Sequence, residues 1–276
     1  MRKGILWTLT IVVLTGAVFL TLSYAKFLGD IGADVKRLVA SAASTPEPVI
    51  TQAMIDRLPP PAQRYFLNAA VVGQSIPRIV RLKQKGRIRG SASQGWMQFE
   101  ADETYTIGPP GFVWQAYFPA SLMPVVLGRD EYIEGGGSIL MKVLAAAPVA
   151  DEHGVEMGPA GLMRYLNEMM WFPAAMLGPN MSIAAVDDTS FRLSIADRGM
   201  TAEATLIVDA AGRLANFRAQ RFSSATHRLE TWETPITGYG TFVGLQLPVS
   251  GSATWKLKDG DLTYIELDVT DLKYED

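Results

Sequence analysis

An apolar helical passage inside a chain of strand-like segments is the feature that most constrains the fold. Residues 159–172 follow Gly158 and open with a proline, which suits a first helical turn. The helix is predicted to end at Phe172, because a residue that precedes a proline avoids the α conformation. Apolar side chains cover about half of the circumference; they are Leu162, Met163, Tyr165, Leu166, Met169, Met170 and Phe172. Such a helix is predicted either to pack as a core helix under a sheet or to form a wall of an apolar ligand cavity.

Alternation of apolar and polar residues begins near Pro77 and predicts β-strands on both sides of that helix. The triple glycine 135–137 is interpreted as a hairpin turn, since strand-type residues follow it, and Asp259-Gly260 is a strong hairpin signal. Two short helices are predicted before the strands, at residues 51–58 and 62–72. The fold class is therefore predicted to be mainly β (α+β), an antiparallel sheet with a few covering helices, in a single domain of residues 51–276.

The N-terminal residues 4–25 carry no charged side chain and are long enough to cross a bilayer. Residues 1–25 are predicted to be a transmembrane helix that anchors the chain, with a cleaved signal peptide as the alternative. Arg2 and Lys3 favour a cytoplasmic N-terminus, which places the rest of the chain outside the cytoplasm as a single-pass protein of the inner membrane. Residues 26–50, which end in a small-residue and proline segment, are predicted to be a juxtamembrane stalk or linker.

A cationic stripe marks the first predicted strand. Five basic residues alternate along it and share one face: Arg81, Lys83, Lys85, Arg87 and Arg89. One interpretation is a membrane-surface contact with anionic lipid headgroups. The alternative is a solvated sheet face, whose charges are paired with Glu100 and Asp102 of the next strand.

Composition excludes several kinds of chemistry. The chain has no cysteine and two histidines far apart, His153 and His227, so thiolate and histidine-rich metal sites are excluded and no metal or cofactor is expected. A net charge of −3 gives no reason to expect nucleic acid. Glu168 is the carboxylate of interest, since it lies in an apolar helix, but Arg164 one turn earlier is its natural ion-pair partner. Three aspartates, Asp130, Asp187 and Asp188, are predicted to be turn residues.

Several blocks of the chain together resemble a known family. They are residues 58–71, 96–116, 129–144 and 164–177, with the spacing of Tyr239, Gly244, Pro248 and Trp255. These blocks resemble a bacterial family of domain-of-unknown-function proteins that often carry N-terminal transmembrane segments. A second resemblance is carried by a strand pair around PPGFVW at residues 109–114, a D-x-Y-x-x-G hairpin at 130–135, the helix, and strands around D-x-x-G-R at 209–213. This order resembles lipoprotein carriers of the LolA/LolB type. That second resemblance implies a curved antiparallel half-barrel, with helices that plug a hydrophobic cavity for acyl chains.

The function expected on these grounds is that of a membrane-anchored envelope protein, more a binding protein than an enzyme. Its partners would be the membrane and a lipid or other apolar small molecule, held between the curved sheet and the 159–172 helix. The candidate pocket residues are Trp114, Tyr132, Arg164, Tyr165, Glu168, Met169 and Trp171. Two alternatives remain open: a hydrolase-like enzyme with Glu168 in a pocket, and an envelope protein with a purely structural or interaction role.

Overall fold

A computed structural model describes residues 2–42, 48–119 and 125–275. Its helices are α1 (Arg2–Ser41), α2 (Gln52–Ile55), α3 (Pro60–Ala69) and α4 (Met157–Glu168), and two 3-10 turns, Met169–Trp171 and Pro173–Leu177, follow α4. The first strands are β1 (Ile79–Ile88), β2 (Met97–Thr106), β3 (Gly111–Phe118), β4 (Val126–Ile133), β5 (Gly136–Val143) and β6 (Ala147–Glu152). After α4 come β7 (Met181–Asp187), β8 (Ser190–Asp197), β9 (Met200–Val208), β10 (Leu214–Ser223), β11 (Arg228–Glu233), β12 (Ile236–Phe242), β13 (Leu245–Leu257) and β14 (Gly260–Glu275).

Within the described residues, fourteen strands form one antiparallel sheet, which confirms the predicted fold class. Its order is β6-β5-β4-β3-β2-β1-β14-β13-β11-β10-β9-β8-β7. Strand β12 also pairs with β13, along the part of β13 that does not pair with β11. The sheet is curved into a half-barrel, because α4 contacts β4 and β5 near one end of this order and β8, β9 and β10 near the other. The pairing of β1 with β14 joins the two halves of the chain.

Helix α4 lies inside the half-barrel with its apolar face against the sheet. Leu162 and Leu166 are fully buried there, in the main hydrophobic core. The helix packs closely on β5, because a Cβ atom at Gly137 would lie 2.0 Å from the carbonyl oxygen of Met157. The regular α-helix ends at Glu168, and a 3-10 turn continues it to Trp171, next to the predicted end at Phe172.

The outer face of the sheet carries a second, smaller core, formed with the C-terminal half of α1. Phe27, Ile31 and Leu38 recur at helical spacing and are buried against Val113 and Leu127. An ion pair fixes the same contact, since Nη1 of Arg129 donates to Oδ2 of Asp34 at 2.5 Å, with both side chains largely buried.

The N-terminal region therefore differs from the predicted stalk. Residues 26–41 continue the same helix as the apolar segment and dock on the sheet, because their apolar side chains form one stripe. The rest of the predicted linker, residues 43–47, lies outside the described residues. The preceding part of α1 is exposed, and an 18-residue window of this helix reaches a mean hydropathy of 2.3. Among the described residues it is the one helix long and apolar enough to cross a membrane, as an anchor or a signal sequence would be.

Candidate functional site

A cleft of about 710 Å³ opens beside α4, between that helix and the inner face of the sheet. Its walls are mainly apolar and aromatic, and they include Ile88, Trp114, Met141, Val143, Met170, Trp171, Trp232, Trp255, Tyr264 and Leu267. The aromatic side chains support one another: the rings of Trp255 and Tyr264 stack at a centroid distance of 6.0 Å, and Nε1 of Trp232 donates to the hydroxyl of Tyr264 at 3.2 Å. The cleft is therefore an apolar space with ordered walls.

The side of α4 that faces this cleft is the polar stripe of the helix. Met157, Ala160, Arg164, Asn167 and Glu168 line the cleft. Their spacing of three or four residues puts them on one face of the helix, away from the core face that holds Leu162 and Leu166. Of the two interpretations of the apolar face, the structure supports the core helix, because Leu162 and Leu166 are fully buried in the main core. The open space lies on the polar side of the helix.

A buried charge cluster forms the floor of the cleft around Arg164. Its Nε donates to Oε1 of Glu168 at 2.8 Å and its Nη2 donates to Oε1 of Glu103 at 2.9 Å, while Nη1 donates to Asp130. The guanidinium also lies 4.7 Å from the ring centroid of Phe112, which is within cation–π distance. One arginine thus binds three carboxylates that come from α4, β2 and β4.

A hydrogen-bonded layer of side chains encloses the cluster. The hydroxyl of Tyr105 donates to Oε2 of Glu168 at 3.2 Å, so each oxygen of that carboxylate accepts one hydrogen bond from the cluster. Nε2 of Gln84 donates to Oε2 of Glu103 at 3.3 Å, and Nε1 of Trp114 donates to Oε1 of Gln84 at 2.9 Å. These bonds satisfy polar groups that burial would otherwise leave unpaired.

The charges of the cluster do not balance, and burial changes their protonation. The side chain of Glu103 is fully buried, and burial followed by the charge of Glu168 raises its pKa well above the usual value. Burial also raises the pKa of Glu168, although Arg164 opposes the shift. Ionising several carboxyl groups so close together costs free energy. Each of these two glutamates therefore stays protonated to a higher pH than an exposed glutamate does.

A second cation lies on the apolar wall. The guanidinium of Arg221 lies 4.6 Å from the ring centroid of Trp232 and 5.8 Å from that of Trp255, and its Nε donates to the carbonyl oxygen of Ala160 at 3.3 Å. Arg221 lines the cleft, so it offers a positive charge inside an apolar space. The sequence did not single it out, since a lone arginine in a strand gives no recognisable signal.

Four of the seven predicted pocket residues line the cleft together: Trp114, Arg164, Glu168 and Trp171. The other three are buried elsewhere in the core. The hydroxyl of Tyr132 donates to Oδ2 of Asp197 at 2.5 Å and that of Tyr165 donates to the carbonyl oxygen of Thr106 at 3.0 Å, while Met169 belongs to the filled core. Sequence reasoning missed Glu103 and Gln84. Their signal was the strand alternation, which turns both side chains inward.

The basic stripe comprises Arg81, Lys83, Lys85 and Arg87, which lie on the outer face of β1, and Arg89, which follows β1 and also lines the cleft. Arg81 pairs with Glu275 at 2.7 Å, Lys83 pairs with Asp102 at 3.2 Å, and Arg87 pairs with Glu266 at 2.7 Å. Nε of Arg89 donates to the carbonyl oxygen of Thr263 at 2.8 Å, and Lys85 lies opposite Glu100 and Asp268 in the register. Pairing therefore accounts for a large part of the stripe, and β14 supplies two of the acids that the sequence had not assigned.

Comparison with known proteins identifies a family. The model of a family of unknown function, DUF6544, matches residues 48–267. No curated protein matches the chain. Among solved structures, the chain is similar to a LolA-superfamily protein of Nitrosomonas europaea at 10% identity and a TM-score of 0.38, over 83% of this chain and 95% of that one. It is also similar to a DUF1329-family protein of Desulfovibrio piger at 10% identity and a TM-score of 0.42, over 83% and 93% of the two chains.

Proposed function

Because this chain belongs to the DUF6544 family, whose function is unknown, we propose its function from the cleft: it is a membrane-anchored envelope protein that binds a lipid or other apolar ligand beside α4. The observation that carries the proposal is the cleft itself. Its volume of about 710 Å³ is within the range of ligand pockets, and its walls combine apolar and aromatic side chains with a few convergent polar groups. Transfer of an acyl chain into such a space is favourable because apolar surface leaves water.

The polar groups of the cleft would orient the ligand. Arg221 offers a cation against two tryptophans, and the cluster around Arg164 offers hydrogen-bonding groups at the floor. An amphiphilic ligand would place its chain along the apolar wall and its polar end near one of these groups.

The anchor half of the proposal is supported by α1. Its exposed apolar segment, residues 4–25, would extend about 33 Å as a helix, enough for the hydrocarbon core of a bilayer. Arg2 and Lys3 precede it, so we propose a single pass through the inner membrane with the half-barrel outside the cytoplasm. This anchor would keep the binding domain next to lipid.

The hydrolase alternative has one supporting observation, the convergence of Glu103 and Glu168 with raised pKa values. However, Arg164 and Tyr105 each donate to one oxygen of Glu168, which holds the carboxylate in one position. The arrangement favours a role for the cluster as a fixed floor of a binding site.

Blocking the cleft tests the proposal. Ala150 is half-buried on β6 and lines the cleft, so Ala150→Trp should fill part of the space. We expect the wild-type chain to bind a fluorescent fatty acid and the variant to bind it at least about tenfold more weakly, which corresponds to about 1.4 kcal/mol of binding free energy. The measurement is a fluorescence titration with a count of bound probe per chain.

The matched control is Ala185→Trp on β7, an exposed position outside the cleft, which should bind like the wild type. Absence of probe binding by the folded wild-type chain would contradict the proposal and favour a structural or interaction role. Equal loss of binding in both variants would place the probe outside the cleft.

A further inference from the structure

The cleft opens at one edge of the sheet. The lining residues that are exposed lie at or near the turns of that edge: Gly90 and Gln94 in the β1–β2 turn, Met97 at the start of β2, Val149 on β6 and Ala225 in the β10–β11 turn. The floor lies deeper, since Asp130 is four residues into β4 from Val126, or about 13 Å along the strand. We call this edge, where Ile88 of β1 pairs with Met97 of β2, the mouth edge.

Helix α1 leaves the sheet at the same edge. Its residue Leu38 packs beside Gly111, at the end of β3 away from the mouth edge. Phe27 lies 5.4 Å from Nζ of Lys142, and Lys142 pairs with Leu127, next to the mouth-edge ends of β4 and β5. The helix therefore crosses the outer face towards the mouth edge, and its exposed apolar segment projects beyond that edge.

The mouth edge carries side chains suited to a bilayer surface. Met97, Tyr117, Leu144 and Val149 are exposed there, at 40% to 61% of their surface. Behind them, the guanidinium groups of Arg87 and Arg89 lie 4.7 and 4.5 Å from the ring of Trp96. Exposed apolar side chains with tryptophan and arginine behind them are typical of the membrane–water interface, where cations also meet anionic headgroups.

We infer that the mouth edge lies against the bilayer crossed by α1, so that the cleft opens directly into lipid and exchanges its ligand with the membrane. This inference rests on the proposed function, because it takes α1 as the anchor and the cleft as the ligand site. It adds the source of the ligand, a lipid bilayer, and narrows the membrane contact from the whole basic stripe to the end that carries Arg87 and Arg89.

Single-cysteine labelling of the full-length chain tests this orientation. The chain has no cysteine of its own, so Val149→Cys and Val243→Cys can each carry one environment-sensitive fluorophore. Val243 is the matched control, because it is also an exposed valine and lies in the β12–β13 turn. The mouth edge is level with Ala253 of β13, so about 26 Å of strand, from Leu245 to Ala253, separates that turn from the edge. In liposomes with nitroxide-labelled headgroups, we expect the label at position 149 to lose at least half of its emission and the label at 243 to lose little.

The possible results test the inference and the proposed function separately. Equal quenching at both positions, or none at 149 in chains that float with the liposomes, would overturn the inference while the fatty-acid titration still stands. Chains that do not float would overturn both the anchor and the inference. Quenching at 149 without any fatty-acid binding would uphold the orientation and remove the ligand. Should Val149→Cys fail to fold, Met97→Cys on the same edge replaces it with the same expectation.

Discussion

The two faces of α4 have opposite surroundings. On one face, Leu162 and Leu166 are fully buried in the main hydrophobic core. On the other, Arg164 and Glu168 lie at the edge of a cleft of about 710 Å³. The first face stabilises the half-barrel through close packing. The second face is less closely packed, and it borders the cleft and carries the charge cluster. The difference shows that the polarity of each helix face matches its surroundings: apolar side chains pack in the core, and polar side chains border the cleft.

The largest expected effect would come from breaking the cluster on the cleft face. Arg164→Leu would leave Glu103, Asp130 and Glu168 buried without their common cation. Removal of one partner of a buried ion pair leaves the opposite charge buried without a counter-charge. We therefore expect a loss of about 3–5 kcal/mol in the free energy of unfolding at neutral pH. The measurement is denaturant unfolding.

The control for that change is Arg218→Leu, which removes an exposed partner of Glu233 and should cost less than about 1 kcal/mol. If Arg164→Leu cost no more than this control, the cluster would contribute nothing to the fold and the comparison between the two faces would fail.

The next effect should come from the packed face. Leu166→Ala would leave a cavity in a filled core and should cost about 2–5 kcal/mol. Met157→Ala on the same helix borders the cleft, so part of its surface is already unpacked, and it should cost less than about 2 kcal/mol. Denaturant unfolding of the two variants side by side measures the difference directly, and equal costs would show that the space beside Met157 is closed.

The smallest effect should be a pH dependence that arises on the cleft face. The raised pKa of Glu103 means that the folded chain holds a proton which the unfolded chain releases near the usual value of 4.5. The stability from this proton is complete below that value and is lost as pH rises towards the raised pKa. Glu103→Gln should therefore lose less stability than the wild type as the pH rises from the usual value of 4.5 towards neutrality.

Unfolding free energies over that pH range measure the difference in slope. Glu100→Gln, an exposed change on the same strand, serves as the control and should follow the wild type. A Glu103→Gln variant with the wild-type slope would show that the proton is held elsewhere.

The sequence predicted the elements of the fold better than their arrangement. Local signals were sufficient for the apolar helix, for the hairpin at residues 135–137 and for the Arg164–Glu168 pair, which follows from four-residue spacing. Asp187 accepts hydrogen bonds from Thr189 in a turn, as predicted. The prediction for Asp130 was wrong: it lies within β4, because the strand extends through it to Ile133.

The cleft could not be predicted because it depends on pairings distant in the chain. Gln84 and Leu267 line one wall only because β1 pairs with β14, and the curvature of the sheet decides how much of that wall α4 covers. Glu103 could have been found, since the alternation that turns Phe99, Ala101 and Tyr105 inward also turns Glu103 inward. Its partners are on α4 and β4, and no spacing along the chain connects those elements.

Within the described residues, strand β6 lies at one end of the sheet order and has one neighbour, and such an edge can recruit a strand from another molecule. β6 carries three features that oppose this: Pro148 has no N–H to donate, a bulge interrupts the pairing near it, and Asp151 and Glu152 place charges at its end. Chains confined to one plane collide edge to edge far more often than freely diffusing ones. For a protein tethered as we propose, these features would keep crowded neighbours from joining into a continuous intermolecular sheet.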